Sequence, residues 1–423
     1  MAKLRQLWKE EEAFALLLLK QDSDLASESF TKRAMVLIEA NAQAVKINGL
    51  ETIVFLSGAD EKKALQWARV FKKKLPAEST ITFSIGIAVY PCIDFKKSEI
   101  PHNARKALLH TAFYGPGTIT SFDGVSLNVS GDIYYGEGDL VRAVREYRKG
   151  LELDPSDTNL LNSLGETYAQ MNKPKMAKPF FEKALQSDPS QYMVLFNLGV
   201  ANLAISEEEL SIKCFEKALR VAKRKPEINN RNELLLQLGR LYCRTGKFKK
   251  AVNLLESSNL VDQKSSKGLA AGTVLRYLGE AYQGMGKNRK AVTVLQRAIS
   301  YNPHDAVSLS MLGELYALEE QGDDIALSLC EQAVELDDAP WIHWYRVAWI
   351  RFRLNKFEAA MDAVKESLRR NKKSVPVLFL SGMIYNAMDK KHLAATKFEK
   401  VVSLETAHKG AVAELIKIKK KKK

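Results

Sequence analysis

The sequence predicts a small α/β domain over residues 1–123, an all-α superhelix of about eight antiparallel helix pairs over 124–408, and a helix end with a lysine-rich tail over 409–423. Three observations carry this reading. A glycine followed three places later by tyrosine recurs through the last two thirds of the chain, most often 34 residues apart. Before residue 124 that period is absent, and apolar β-type runs alternate there with amphipathic segments. The 423 residues are 46% hydrophobic and 9% aromatic, which excludes wholesale disorder, and their number asks for more than one domain.

In the first third, residues 14–19, 51–56, 81–89 and 118–122 read as strands. Helical patterns at 27–44, 61–74 and 102–112 separate them and present charged faces. Alternation of this kind argues helices packed on a sheet.

From residue 124 the alignment on glycine gives Gly131/Tyr134, Gly165/Tyr168, Gly239/Tyr242, Gly279/Tyr282, Gly313/Tyr316 and Gly382/Tyr385, with Gly199/Asn202 in register and Ala348 in the one missing glycine place. About twelve positions after each comes a small residue: Ala143, Ala177, Ser211, Ala251, Ala291, Ala326, Ala360 and Ala394. Pro155, Pro189 and Pro303 close units. The two 40-residue intervals are explained by longer loops at 224–232 and 263–268. Together these positions resemble the tetratricopeptide repeat, a helix-turn-helix unit of about 34 residues whose copies stack because one alone cannot bury its apolar face. In this reading the small residues mark the close approach of two helices, while Phe181, Phe215 and Phe398 fill the space between neighbouring pairs. Gly284-Met285-Gly286-Lys287 is a turn within a repeat, not a phosphate-binding loop.

The resemblance implies a groove lined by the first helix of each unit, taking a protein or peptide partner. Those places hold Ile342, Tyr345, Trp349 and Phe352 in the seventh unit, Phe379 and Met383 in the eighth, and Met193, Phe196, Val200 and Leu203 in the third. Tyr345, Trp349, Phe352, Phe379 and Met383 are the candidate partner-binding residues. Two alternatives stay open: these side chains form a pocket for an apolar segment, or the helix that begins near Gly410 covers them. The middle units offer a polar lining of Arg240, Arg276, Glu280 and Glu314. The lysine and asparagine set with which some members of the family clamp a C-terminal carboxylate is not visible.

The order of segments in residues 1–123 resembles the GGDEF domain of diguanylate cyclases, carried by the strand Ser84-Ile85-Gly86-Ile87-Ala88, the following helix through Ala104-Arg105-Lys106-Ala107-Leu108-Leu109, and the turn and strand of 115–123. The resemblance implies a nucleotide site with a glycine-glycine turn and magnesium-binding carboxylates. At the matching places stand Asn48, Gly49, Leu50, Glu51 and Thr52, a degenerate signature with one glycine and one carboxylate. Lys20 takes the place of a metal-binding aspartate, with Asp22 two residues on, and the product-inhibition motif reads Glu39-Ala40-Asn41-Ala42. The domain is therefore expected to be catalytically dead, with no catalytic residues, metal or cofactor, and with nucleotide binding disfavoured.

Little else suggests chemistry. Cys92, Cys214, Cys243 and Cys330 are far apart and read as small core hydrophobes in a reducing compartment. His102, His110, His304, His343, His392 and His408 show no metal-ligand spacing. The apolar run at 13–19 is preceded by Glu10, Glu11 and Glu12 and reads as neither a signal peptide nor a membrane span. The net charge of +14 is partly concentrated in residues 409–423, where seven lysines face one acid; a solvated end is expected, with weak contact to an anionic surface as the lesser reading. The expected function is a cytoplasmic, non-enzymatic scaffold or adaptor in bacterial signalling or complex assembly. The alternative is a sensor of GTP or cyclic di-GMP, a vestigial diguanylate cyclase regulating the repeats.

Overall fold

Strand β1 (Phe14–Gln21) is central because six consecutive apolar residues, Phe14 to Leu19, find cover on both faces of a sheet. Ala15, Leu17 and Leu19 pack with Ala64, Ala68 and Phe71 of α2 (Glu61–Lys74) on one side. Phe14, Leu16 and Leu18 meet Trp8 of α1 (Ala2–Trp8) and Ile100, Ala104 and Leu108 of α3 (Ile100–His110) on the other. The computed structural model describes residues 2–22, 35–38, 42–74, 82–225, 231–257, 269–320 and 322–420. The chain divides into two compact units, Met1–Val221 and Ala222–Lys423.

In the first unit the remaining strands are β2 (Gln43–Lys46), β3 (Glu51–Ser57), β4 (Phe83–Tyr90) and β5 (Ile119–Ser121). The sheet order is β2-β3-β1-β4-β5, antiparallel except for the parallel β4–β5 pair. Gly86 on β4 has a specific reason: a Cβ there would lie 2.2 Å from the Ala104 carbonyl oxygen and 2.3 Å from the Leu108 nitrogen, so only glycine lets α3 lie this close to the sheet.

The helix predicted over 27–44 needs correction. Residues 35–38 are helical, 23–34 and 39–41 lie outside the described residues, and Ala44 belongs to β2. This short edge strand alternates weakly, so its pairing with β3 decides it rather than its own pattern. The 102–112 helix likewise gives way to a 3-10 turn at Thr111–Phe113. Ile81 and the Glu39-Ala40-Asn41 part of the compared motif lie outside the described residues.

Three helix pairs complete the first unit: α4 (Gly124–Gly136) with α5 (Leu140–Leu153), α6 (Thr158–Gln170) with α7 (Pro174–Ser187), and α8 (Tyr192–Ala204) with α9 (Glu208–Arg224). The α/β layer is joined to the first pair by Lys106–Glu146 at 2.6 Å, both largely buried, and by Lys149, which reaches Asp94 at 2.6 Å over the Phe95 ring.

The second unit holds α10 (Arg231–Arg244) with α11 (Phe248–Glu256), α12 (Leu269–Gly284) with α13 (Asn288–Tyr301), α14 (Ala306–Leu318) with α15 (Asp323–Leu336), α16 (Trp341–Arg353) with α17 (Phe357–Arg370), and α18 (Val375–Ala387) with α19 (Lys391–Leu404). Helix α20 (Lys409–Lys420) follows and buries Ala411 and Ile418 beside Leu378, Phe398 and Val401. Of the two loops expected at 224–232 and 263–268, residues 226–230 and 263–268 lie outside the described residues, while Arg231 and Asn232 already belong to α10.

Every one of the eight small residues from Ala143 to Ala394 is fully buried. The recurrent glycine packs inside its own pair: a Cβ on Gly165, Gly199 or Gly382 would lie 2.3–2.5 Å from the ring of Phe181, Phe215 or Phe398. These rings, expected between neighbouring pairs, therefore fill the space opened by the glycine sixteen residues earlier. The turn inside each pair passes through a left-handed residue, in order Gly138, Asn172, Ser206, Gly246, Gly286, Glu320, Asn355 and Asp389, and the sixth turn adds Gly322.

Candidate functional site

On α16, Tyr345, Trp349 and Phe352 occupy i, i+4 and i+7 and so share one face. Phe379 and Met383 share a face of α18 in the same way. All five line one cavity of about 470 Å³, joined by Val375, Pro376 and Leu380 from α18 and by Glu405 and His408 from the turn into α20. The five side chains are half-buried, neither core nor free surface. Ile342 does not line the cavity.

The turn into the terminal helix, through Glu405 and His408, forms a wall of this cavity. Phe379 packs against the Phe398 ring at 5.6 Å and the His408 ring at 4.8 Å, and Gly410 sits so close that a Cβ there would be 3.1 Å from the Phe379 ring tip. His408 also accepts, through Nδ1, the Ala411 backbone N–H at 3.1 Å, which satisfies an otherwise unpaired donor of the first helical turn. Arg353 lies over the Trp349 ring, 5.3 Å from its centre, and its charge is met by Asp323 at 3.2 Å. Burial pushes the Tyr345 phenol up, and the neighbouring Glu314 adds to the shift.

The polar lining read at Arg276, Glu280 and Glu314 is a set of ties between successive first helices. Arg346 bonds Glu314 and Ser310, each at 2.8 Å, Gln283 donates to Glu314 at 3.2 Å, and Arg276 pairs with Asp305 at 3.2 Å. Burial raises the Glu280 carboxyl against the pull of Arg276, Arg346 and Arg240. His343, fully buried, is pushed down to about 4 by burial and then by Arg346. Sequence reasoning missed Arg346, which lies in an otherwise aromatic helix, and also Glu405 and His408, which reach the cavity from a turn. In the first unit Met193 and Val200 are exposed as read, but Phe196 turns onto Phe215 at 5.5 Å.

The degenerate signature forms the β2–β3 hairpin. Asn48 Oδ1 accepts from the Leu50 and Glu51 backbone N–H groups, both at 2.9 Å, which closes the turn. A Cβ on Gly49 would meet nothing within 4 Å, so no close approach requires glycine there. Thr52 donates to the Met35 sulfur at 3.7 Å. Glu51 accepts two hydrogen bonds from Arg105, at 2.9 and 2.7 Å, and this grip holds its carboxyl below the usual carboxylate range. Lys20 stands opposite Glu51 in the β1–β3 register. Asp22 accepts from Thr82 Oγ1 at 2.5 Å, Ser84 Oγ at 2.6 Å and Gly117 N–H at 2.7 Å. Of these, Lys20, Asp22, Glu51, Ser84 and Arg105 border a cleft of about 310 Å³. Among the described residues no three His, Cys, Asp or Glu side chains are grouped to hold a metal.

All four cysteines are free; Cys243 and Cys330 are buried, their thiols pushed up to about 12 by burial, whereas Cys92 and Cys214 are only half-buried. No described helix is long and apolar enough to cross a membrane.

Family profiles for the tetratricopeptide repeat match residues 131–172, 158–191 and 230–303. The helix pairs within these segments are tetratricopeptide repeats. Among solved structures, the repeats are similar to the APC/C hetero-tetramer Cut9–Hcn1, at 15% identity and a TM-score of 0.50, over 69% of this chain and 55% of that one. A tetratricopeptide repeat protein from Parabacteroides merdae matches at 19% identity over 70% and 98% of the two chains, TM-score 0.38. The C-terminal part of a repeat protein from Cytophaga hutchinsonii matches at 14% over 68% and 98%, TM-score 0.40. No curated protein matches the chain. The chain thus spans a little over half of the Cut9–Hcn1 chain, and what these repeats share with it is the fold. Such repeats generally mediate contacts between proteins.

Proposed function

We propose that the chain is a non-catalytic, cytoplasmic scaffold or adaptor whose seventh and eighth repeats hold an apolar segment of a protein partner. The observation that supports this is the convergence of Tyr345, Trp349, Phe352, Phe379 and Met383 on one half-open cavity of about 470 Å³, a size in the range of ligand pockets. Aromatic side chains held half-exposed by their own helices lose little freedom on binding, which suits them as anchors. The likeness of the repeats to a chain found in the Cut9–Hcn1 hetero-tetramer is in keeping with a role in an assembly.

In this reading residues 1–123 are a catalytically dead GGDEF-like domain kept as a docking or structural element, and that resemblance suggests bacterial signalling or complex assembly as the setting. The grip of Arg105 on Glu51 and the placing of Lys20 opposite support the loss of a magnesium site, since a cation opposes another cation and the one retained carboxylate already has a partner. The lysine tail adds at most a weak contact with anionic surfaces.

The test is affinity capture with the full chain and with Trp349→Ala side by side, followed by titration of each recovered protein against both. A partner bound by the first and weakened at least tenfold by the substitution supports the reading. Identical recoveries and affinities overturn it.

A further inference from the structure

We propose that the cavity on α16 and α18 selects a peptide segment bearing a bulky apolar anchor with a lysine or arginine close beside it, the cation being drawn to Glu405. This deepens the reading of that cavity as a partner site and rests on it.

The lining sets the chemistry. Eight of its ten residues are apolar or aromatic, and besides His408 the remaining one is Glu405. The Glu405 carboxylate is exposed and has no hydrogen-bond or ion-pair partner among the described residues. The cations at the end of α16 are already engaged: Arg353 with Asp323 at 3.2 Å and Arg351 with Glu331 at 2.9 Å. Lys409, four residues on from Glu405, forms no ion pair with it.

An apolar segment seated against Phe379 and His408 therefore removes water from beside a carboxylate that nothing in the wall neutralises. A segment that is neutral or acidic there leaves the charge uncompensated. A basic side chain next to the anchor supplies the missing partner at the rim, where charge complementarity sets partner choice and salt dependence. The volume holds one or two large side chains rather than a folded domain, which points to a short segment reading out through anchors on one face.

The experiment is selection from a display library of random 12-residue peptides on the full chain, with Trp349→Ala, Met383→Ala and Glu405→Gln selected in parallel after thermal melts have shown each to be folded. The expected result is enrichment of peptides carrying a large apolar residue with lysine or arginine within four positions. In titration the leading peptide should weaken at least tenfold on Trp349→Ala or Met383→Ala. It should weaken at least threefold on Glu405→Gln in low salt and lose most of its salt dependence. Peptides that depend on Trp349 but carry no cation, or that bind Glu405→Gln equally well, overturn the charge selection and leave the cavity as a partner site. Enrichment that ignores both Trp349 and Met383 overturns the partner site itself.

Discussion

Arg105 holds Glu51 by two hydrogen bonds, 2.9 and 2.7 Å long, at the start of β3; under the proposed reading of this domain, that carboxylate is not free for metal. Calorimetric titration of the full chain with GTP or cyclic di-GMP in magnesium is expected to give no heat beyond dilution. Micromolar binding would restore the nucleotide-sensor alternative and put Asn48 to Thr52 at its centre.

The same pair predicts a pH dependence. Its folded carboxyl lies below the ordinary range, so its stabilisation is complete above about pH 4.3 and is lost as pH falls through the folded value. Because the Arg105 side chain is 43% exposed, the effect should be no more than about 1 kcal/mol. Thermal melts of the wild type and Glu51→Gln should differ at pH 7, and the difference should shrink steadily as pH falls below about 4.3. A difference that does not shrink on acidification would mean that the pair is not its source.

The recurrent glycine is matched to the side chain it faces: in four pairs a ring, Tyr147, Phe181, Phe215 or Phe398, and in two others a leucine, Leu255 or Leu295. Where Gly382 faces Phe398 a Cβ would fall 2.5 Å from the ring, and the ring is fully buried with nowhere to turn. Gly382→Ala is therefore expected to destabilise by about 1–3 kcal/mol. The seventh pair shows the remedy, since Ala348 stands in the glycine place and Val364, not an aromatic, stands sixteen residues on. Adding Phe398→Val to Gly382→Ala should recover part of the loss, measured by urea unfolding; leucine would not suffice, because a Cβ on Gly239 or Gly279 would still lie 2.6–2.7 Å from Leu255 or Leu295. A double variant no more stable than the single one would refute the matching.

That matching explains how much was legible. The glycine, alanine and tyrosine period exposes the repeats because every copy meets the same packing constraint at the same place. The central strand was visible because Phe14 to Leu19 are all apolar, whereas β2 was not, since its burial comes from pairing with β3 rather than from its own residues. At the site, spacing on one helix face identified Tyr345, Trp349, Phe352, Phe379 and Met383. Glu405 and His408 carry no periodic signal, because a turn between α19 and α20 brings them there.

Trp349 and Phe379 should part company when truncated. Trp349 is half-buried, packed against the core of its helix pair and under Arg353, and Trp349→Ala is expected to cost about 1–2 kcal/mol of stability while removing partner binding. Phe379 also supports Phe398 and the start of α20, so Phe379→Ala should cost about 2–4 kcal/mol as well as binding. Equal losses of stability in the two variants, measured by chemical denaturation, would show that Trp349 is core.

The last helix gives the sharpest structural test, because its lysines and its apolar residues have different jobs. Lys417 pairs with Glu414 at 2.7 Å on the surface, whereas Ile418, the next residue, is 4% exposed and packs with Leu378 and Phe398 beside the cavity. Truncation after Leu415 removes that buried side chain and should cost about 2 kcal/mol or more. It should also loosen the His408 cap and with it the cavity wall. Truncation after Lys420 keeps Ile418 and should leave the melting temperature within a degree of the full chain, lowering only salt-sensitive binding to anionic vesicles. Two truncations with the same stability would mean that α20 does not support the Phe379 wall.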